Sequence, residues 1–290
     1  MDQRIINLYD EFTHGSMSRR TLLDRMAKLA GSTAAAVALL PLLQSDYTKA
    51  ATIAENDPRL AIDKVSYDSP KGKINALLAR PKAKGKRPTV IIIHQNRGLN
   101  PHIQDVARRY AVEGYLALAP DLLSVAGGTP ASDDQARDLH AKANKADMLA
   151  AAVAAIPFAK THAESTGKVG AVGFCYGGGV INAMAVASPD LSAGVAYYGA
   201  QPPADKVPTI RAALLLHYAG LDTRVNTGIP AYEAALKANQ RTYTIHMYPN
   251  TNHAFSDDTA NRYDKAATEL AWGRTLAFFK QHLGAPPNAA

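Results

Sequence analysis

A short glycine-rich turn constrains the fold more than any other segment of this chain. Gly173-Phe174-Cys175-Tyr176-Gly177-Gly178-Gly179 ends the apolar run 168–174 and opens a segment with helical spacing, 177–188. Small residues two positions either side of Cys175 permit a sharp strand–turn–helix bend that presents the central side chain. The pattern predicts a thiol nucleophile above a helix N-terminus, where the helix dipole favours a thiolate. The alternative is a buried structural cysteine, since free cysteines are often buried.

Strand and helix patterns alternate from about residue 59 onward. Strands separated by helices predict an α/β domain over residues 59–290, with a mostly parallel central sheet and helices on both faces. The continuous β-branched run 89–94 is typical of a strand that is buried on both faces. The predicted strands are 62–67, 74–79, 89–94, 114–119, 168–174, 193–198, 212–217 and 243–248. The predicted helices are 101–113, 133–160, 177–188, 230–239 and 262–282.

Composition excludes several classes of protein. The chain has 290 residues, of which 47% are hydrophobic and 20% charged, and this balance is typical of a globular protein without stable membrane insertion. One cysteine cannot form an internal disulfide or a cysteine-rich metal cluster. The net charge of +7 is spread along the chain and no basic stripe is interleaved with aromatic residues, which argues against nucleic-acid binding.

The first 50 residues form a segment of their own. Arg19 and Arg20 precede an apolar run, 29–43, in the order of a twin-arginine export signal. The run is too short to span a membrane and is broken by Pro41. The alternative is a helical segment packed on the domain, since residues 1–17 also resemble a short helix. Export to the periplasm and a cytoplasmic location are therefore both open.

A thiolate nucleophile needs a base, and the base needs a group that orients it. In folds with this turn, an acid and then a histidine follow the nucleophile, each after a later strand. Asp222 follows the strand-like run 214–219 and a glycine, and His253 follows the strand 243–248. The sequence therefore predicts His253 as the base and Asp222 as its orienting acid. Seven other histidines lie in predicted helices, strands or tails and fit less well: His14, His102, His140, His162, His217, His246 and His282.

The loop after strand 89–94 is predicted to lie beside the nucleophile. Such a loop supplies one backbone N–H to an oxyanion, and the residue after the nucleophile supplies the other. Asn96 and Tyr176 are therefore the predicted donors. Arg97 is predicted either to pair with a substrate carboxylate or to form a surface salt bridge. Tyr198 is predicted either to line the substrate pocket or to pack in the core.

No metal or cofactor is expected from the sequence. Asp257 and Asp258 follow His253, but further metal ligands at a fitting spacing are lacking. A phosphate-binding G-x-x-x-x-G-K-[ST] pattern is also missing from the sequence, and the sharp turn at Cys175 explains the glycines 177–179 without a phosphate ligand.

Three motifs together resemble a known family. Gly173-Phe174-Cys175-Tyr176-Gly177-Gly178, Gly220-Leu221-Asp222 and Asn252-His253-Ala254-Phe255 are similar to the dienelactone hydrolases (carboxymethylenebutenolidases) of the α/β-hydrolase superfamily. The resemblance covers about residues 59–283. It implies a Cys-His-Asp triad that hydrolyses a small ester or lactone through a thioester. The alternatives are a non-catalytic ligand-binding protein with this fold, and a thioesterase or acyltransferase on the same triad. The sequence leaves open whether the chain forms a homo-oligomer.

Two positions depart from the family pattern. Gln95 stands where the family has a glutamate that exchanges a proton with the cysteine, and Asp257 stands where it has a carboxylate-binding arginine. An amide cannot take a proton, so activation of the thiol would fall to His253 and the helix dipole. Gln95 remains a pocket candidate by its position. An acid at Asp257 is expected to disfavour anionic substrates such as dienelactone itself.

Overall fold

The described residues of the computed structural model, 1–15, 17–49 and 52–287, contain one sheet of eight strands. The strands run in the order β1-β2-β4-β3-β5-β6-β7-β8. Strand β2 is antiparallel to β1 and β4, and the remaining neighbours are parallel. The mostly parallel sheet predicted from the sequence is confirmed. The strands are β1 Leu60–Ser69, β2 Gly72–Pro81, β3 Arg87–Ile93, β4 Leu116–Pro120, β5 Ser165–Phe174, β6 Ala193–Tyr197, β7 Ala213–Ala219 and β8 Tyr243–Tyr248.

The helices agree with the predicted order except for one break. The single helix predicted over 133–160 is wrong, because the chain is extended at Ala143 and a second helix begins after Asn144. The Asn144 side chain accepts hydrogen bonds from the first backbone N–H groups of that second helix, as an N-cap does. The helices are α1 Gln3–His14, α2 Arg19–Ala30, α3 Thr33–Leu39, α4 Pro101–Val112, α5 Asp133–Lys142, α6 Lys145–Thr161, α7 Tyr176–Ala187, α8 Thr223–Asn226, α9 Ile229–Ala238 and α10 Lys265–Leu283.

Strand β3 shows why both faces of the sheet are covered. All seven of its residues are buried, as its continuous β-branched sequence predicts. Successive side chains of a strand point to opposite faces. Ile91 and Ile93 pack in the cluster that includes α6, α7 and α9, whereas Val90 and Ile92 pack in the cluster that includes α4 and α10.

Helices α1–α3 pack around a small apolar cluster of their own, and polar contacts attach this N-terminal unit to the sheet and its helices. Asp10 pairs with Arg262 at 3.2 Å, and Arg19 pairs with Asp134 at 2.8 Å. Among the described residues, no helix is both long and apolar enough to cross a membrane. The N-terminal segment is thus helical, as in the alternative of a helical segment packed on the domain. Export stays a prediction. The cluster contains Ile5, Leu8, Tyr9, Phe12, Leu22, Met26, Ala36, Leu40 and Leu43.

The turn between β5 and α7 is strained and tightly packed. Cys175 has φ 59° and ψ −115°, and its N–H donates to the Tyr197 carbonyl at 3.0 Å. L-residues rarely adopt a positive φ, so the surrounding structure must hold this conformation. A Cβ on Gly177 would lie 2.4 Å from the Ile93 carbonyl oxygen, which leaves no room for a side chain. The first turn of α7 is thus pressed against the end of β3.

We expect Gly177→Ala to destabilise the protein by about 1 to 3 kcal/mol, because the new methyl group meets backbone atoms that cannot move aside. The measurement is the free energy of unfolding in urea. The matched control is Gly273→Ala in α10, where an added Cβ meets no described atom within 4 Å. The control should leave stability unchanged or raise it by about 1 kcal/mol. Equal stability of the two variants would contradict the close packing of the turn.

Candidate active site

Cys175 lies at the carboxyl end of β5 and lines a cavity. The residue is 7% exposed, and the cavity has a volume of about 960 Å³. Asn96, Tyr176 and His253 line it together with the cysteine. Ligand sites of parallel α/β sheets commonly lie beyond the carboxyl ends of the strands. The fold therefore places the predicted nucleophile in a cavity of the size that small-molecule sites have.

Asp222 and His253 form a buried pair. The Nδ1 atom of His253 lies 2.5 Å from Oδ2 of Asp222, and each residue is 5% exposed. Asp222 also caps α8, because its Oδ1 accepts the N–H of Val225 at 3.1 Å. Burial by itself raises the pKa of Asp222, but the hydrogen bond and charge of His253 outweigh burial and lower it. The ionised carboxylate thus holds the imidazole in one orientation.

The structure brings the three predicted residues together. Nε2 of His253 is buried and lacks a hydrogen-bond partner among the residues that the structure describes. One ring nitrogen from His253, one from His14 and Sγ of Cys175 all lie within 4.8 Å of one another. Burial alone raises the pKa of the Cys175 thiol, but the charges of His14 and His253 outweigh it and hold this pKa well below its ordinary value.

His14, which the sequence did not favour as the base, is in hydrogen-bond contact with the thiol. Its Nε2 lies 3.0 Å from Sγ of Cys175, and its ring meets the edge of the His253 ring at 4.7 Å. The sequence favoured His253 over His14 as the base, and the structure places both imidazoles beside the sulfur. The sequence carries a weak signal for this residue, since Asp10 stands one helical turn earlier on an amphipathic helix.

The predicted oxyanion donors lie on either side of Cys175. Tyr176 is the first residue of α7, and the first N–H groups of a helix have no acceptor within it. Asn96 follows β3 and lines the cavity. The Asn96 side chain has a further contact, because its Nδ2 donates to the Thr13 carbonyl of α1 at 2.7 Å. The oxyanion role of both backbone N–H groups stays a prediction.

One of the three pocket candidates lines the cavity. Tyr198 does so, with its ring 4.8 Å from the His253 ring and its hydroxyl 2.8 Å from that of Ser256. Within the described chain, Gln95 and Arg97 are not among the lining residues. Gln95 instead donates from Nε2 to Asp257 at 3.3 Å. The Arg97 guanidinium donates to the backbone carbonyl of Asp133 at 2.9 Å, so it faces α5.

Asp257 is not among the described residues that line the cavity. The expectation that it repels anionic substrates therefore does not hold. The residue is 3% exposed, and its Oδ1 accepts the hydroxyl of Thr259 at 2.5 Å. Most of the charged side chains that line the cavity are basic. Asp138 is the only acidic residue among the described lining residues, whereas five are basic: Arg137, Lys142, Lys145, Lys206 and Arg224.

Two groups of side chains in the described chain have spacing compatible with a metal ion. The first is His14, Cys175 and His253, which are the residues of the site itself. The second is Asp257 and Asp258 together with His102 of α4, which the sequence pattern does not place beside them. In the second group the Arg109 guanidinium already contacts Asp258 at 2.5 Å, so these residues form a buried ion-pair network.

Comparisons with known proteins agree with this architecture. The model of the dienelactone hydrolase family matches residues 74–283. A "Putative carboxymethylenebutenolidase" of Methylorubrum extorquens is 30% identical over 282 residues, which cover 92% of this chain and 96% of that protein. One of the same description from Escherichia coli O157:H7 is 32% identical over 251 residues, 81% of this chain and 93% of that one. The crystal structure of a "Putative Dienelactone Hydrolase" from Klebsiella pneumoniae superposes with a TM-score of 0.69 and 30% identity, over 77% of this chain and 99% of that one.

We expect Cys175 to react with iodoacetamide almost as fast at pH 6 as at pH 8, within about twofold, because the thiolate is the reactive form and its pKa is lowered. A thiol of ordinary pKa, such as that of glutathione, slows about a hundredfold over this range and is the control. Mass spectrometry measures the reaction at one site, since the chain has one cysteine. A decline parallel to that of glutathione would contradict the lowered pKa.

Proposed function

The chain belongs to the dienelactone hydrolase family of ester and lactone hydrolases, and from this premise we propose that it acts through a covalent thioester on Cys175. The observation that carries the proposal is the position of Cys175 on a strained turn, in a cavity shared with the imidazole of His253. A thiolate is a strong nucleophile towards acyl carbon. The proposed reaction is hydrolysis of a small carboxylic ester or lactone.

Two steps complete the proposed reaction. In the first, the thiol proton passes to an imidazole beside the sulfur, Sγ of Cys175 bonds to the acyl carbon, the carbon–oxygen bond breaks, and the leaving oxygen takes up that proton. The N–H groups of Tyr176 and Asn96 stabilise the oxyanion that forms on the way. In the second, water attacks the thioester while Nε2 of His253 takes a proton from it, and the thiolate leaves. Asp222 keeps the imidazole oriented and stabilises its charged form.

The charge of the cavity supports an anionic substrate. Five basic side chains and one acidic side chain line its described part. A cleft lined by one sign of charge raises the local concentration of ligands of the opposite sign. We therefore propose a substrate that carries a carboxylate beside its ester or lactone bond, a class that includes dienelactones.

We expect Cys175→Ala to abolish hydrolysis of p-nitrophenyl esters and lactones, because the acyl group then has no sulfur to bind. Both proteins are assayed side by side, with circular dichroism to show that the variant is folded. The wild-type protein, quenched during turnover, should gain the mass of the acyl group at Cys175. Undiminished turnover by the folded variant would refute the thioester mechanism.

We expect the double variant Lys142→Gln/Lys206→Gln to raise KM several-fold for an anionic ester and to leave KM for a neutral ester of the same size unchanged. The matched control is Lys28→Gln/Lys84→Gln, which removes the same charge from exposed positions outside the described cavity lining. Equal effects on the two esters would show that the lysines do not select for charge. An effect of the control pair would assign the change to net charge alone.

A further inference from the structure

The N-terminal helix supplies a side chain to the reacting sulfur. We propose that His14, oriented by Asp10, is a second catalytic histidine, which holds the proton of the Cys175 thiol in the resting enzyme and returns it to the leaving oxygen. The inference rests on the proposed thioester function of Cys175. It also requires that α1 remains part of the active enzyme.

The contact geometry separates the roles of the two imidazoles. Nε2 of His14 lies 3.0 Å from Sγ of Cys175, a hydrogen-bond distance for sulfur. Nε2 of His253 has no hydrogen-bond partner among the described residues. The thiol is therefore bonded to the histidine of the N-terminal unit, and Nε2 of His253 lines the cavity without such a bond. Burial lowers the pKa of His253 but the thiolate charge raises it, so once acylation removes that charge this nitrogen loses its proton more readily and can then accept one from water.

Asp10 contacts Nδ1 of His14 through its backbone carbonyl and, at a longer distance, through its carboxylate. Nδ1 of His14 lies 2.8 Å from the backbone carbonyl of Asp10 and 3.3 Å from its Oδ1. Asp10 also contacts Arg262 at 3.2 Å. Burial raises the pKa of Asp10, but the hydrogen bond to His14 and the nearby positive charges outweigh it and lower the pKa. The ionised carboxylate stabilises a charged imidazole on His14.

Contacts of Phe12 and Thr13, the two residues before His14, hold the end of α1 beside the cavity. Nδ2 of Asn96, in the loop beside the nucleophile, donates to the carbonyl of Thr13 at 2.7 Å. The Arg137 guanidinium of α5 lies 4.3 Å from the centre of the Phe12 ring. Thr13 and His14 also line the cavity itself. The end of α1 is therefore a wall of the site, with its position set by neighbouring residues.

His14 can accept the proton of the thiol, whereas the amide of Gln95 cannot. The Gln95 amide takes no proton, and its Nε2 is directed to Asp257. In the proposed cycle the thiol proton moves to Nε2 of His14, the sulfur bonds to the acyl carbon, and the leaving oxygen takes the proton back. Water then gives a proton to His253, the thiolate leaves, and that proton passes to His14 to restore the ion pair. The acid product releases its own proton to solvent.

Several charged groups surround this ion pair. Burial lowers the pKa of His14, but the charge of Cys175 and the hydrogen bonds to Asp10 and Cys175 outweigh it and raise the pKa. The titration of the thiol therefore depends on more than one group, and a test must change His14 alone. The groups that face the pair are Asp10, Asp222, Arg224, His253 and Arg262.

The test compares full-length wild type with His14→Gln, which keeps an N–H donor near the sulfur but cannot take a proton. Asp10→Asn is the second variant, and Glu11→Gln is the control on the same helix. Glu11 is exposed and pairs with Arg25 on the surface. The first measurement is the rate of iodoacetamide reaction at Cys175 between about pH 5 and 9. The second is the burst of p-nitrophenol from p-nitrophenyl acetate, which separates acylation from deacylation.

We expect His14→Gln to move the midpoint of the alkylation profile upward by about 1 to 3 pH units, because an opposite charge beside the thiolate is lost. The acylation burst at pH 7 should slow by about tenfold or more, while the deacylation rate stays within about twofold. Asp10→Asn should also raise the midpoint of the alkylation profile and slow the acylation burst, each by a smaller amount. Glu11→Gln should match wild type.

Two results would overturn the inference. One is an alkylation profile and burst for His14→Gln that match wild type, and the other is a faster burst, which would mean that His14 blocks the sulfur. A wild-type enzyme that forms no acyl adduct on Cys175 would instead refute the proposed function. Wild-type acylation together with an unaltered His14→Gln burst would refute only the role of His14.

Discussion

The close approach of α7 to the ends of its neighbouring strands is the constraint on which the site depends. A Cβ at Gly177 would touch the Ile93 carbonyl, and one at Gly178 would touch the Tyr197 carbonyl at 2.5 Å. Because no side chain separates helix from strand there, Cys175 is held at the carboxyl end of its strand with an unfavourable φ. Packing energy elsewhere in the domain compensates this local strain.

Buried charge is the second organising feature of the site. Asp222 and His253 are each 5% exposed and pair at 2.5 Å. Burial of an unpaired charge would cost several kcal/mol, so each buried charge here is held beside a group of opposite sign. His14 and Asp10 extend this arrangement from the other side of the thiol. Two carboxylate–imidazole pairs thus converge on one sulfur, and both stabilise its negative form.

The N-terminal unit changes what the sheet domain alone would present. Its small apolar cluster keeps α1–α3 together, while polar contacts such as Asp10–Arg262 attach them near the cavity. Polar attachments of this kind depend on geometry more than apolar burial does. The unit closes one wall of a cavity whose charged lining residues, within the described chain, are mostly basic. Access, charge and the environment of the thiol are therefore coupled through one helix.

The sequence by itself determined the sheet, the turn at Cys175 and the pairing of Asp222 with His253. The sheet and the turn follow from strand and helix periodicity and glycine spacing, which are visible along the chain, and the pair follows from the order of acid and histidine in folds with this turn. Only the tertiary structure decided which side chains face the cavity. Gln95 points away from the cavity because it binds Asp257, and Arg97 does so because it binds the Asp133 carbonyl. The helical region 133–161 is interrupted before Asn144, because the side chain of this residue caps a new helix. His14 reaches Cys175 across 161 positions of sequence, and such a contact depends on the docking of a whole helix, which no local pattern encodes.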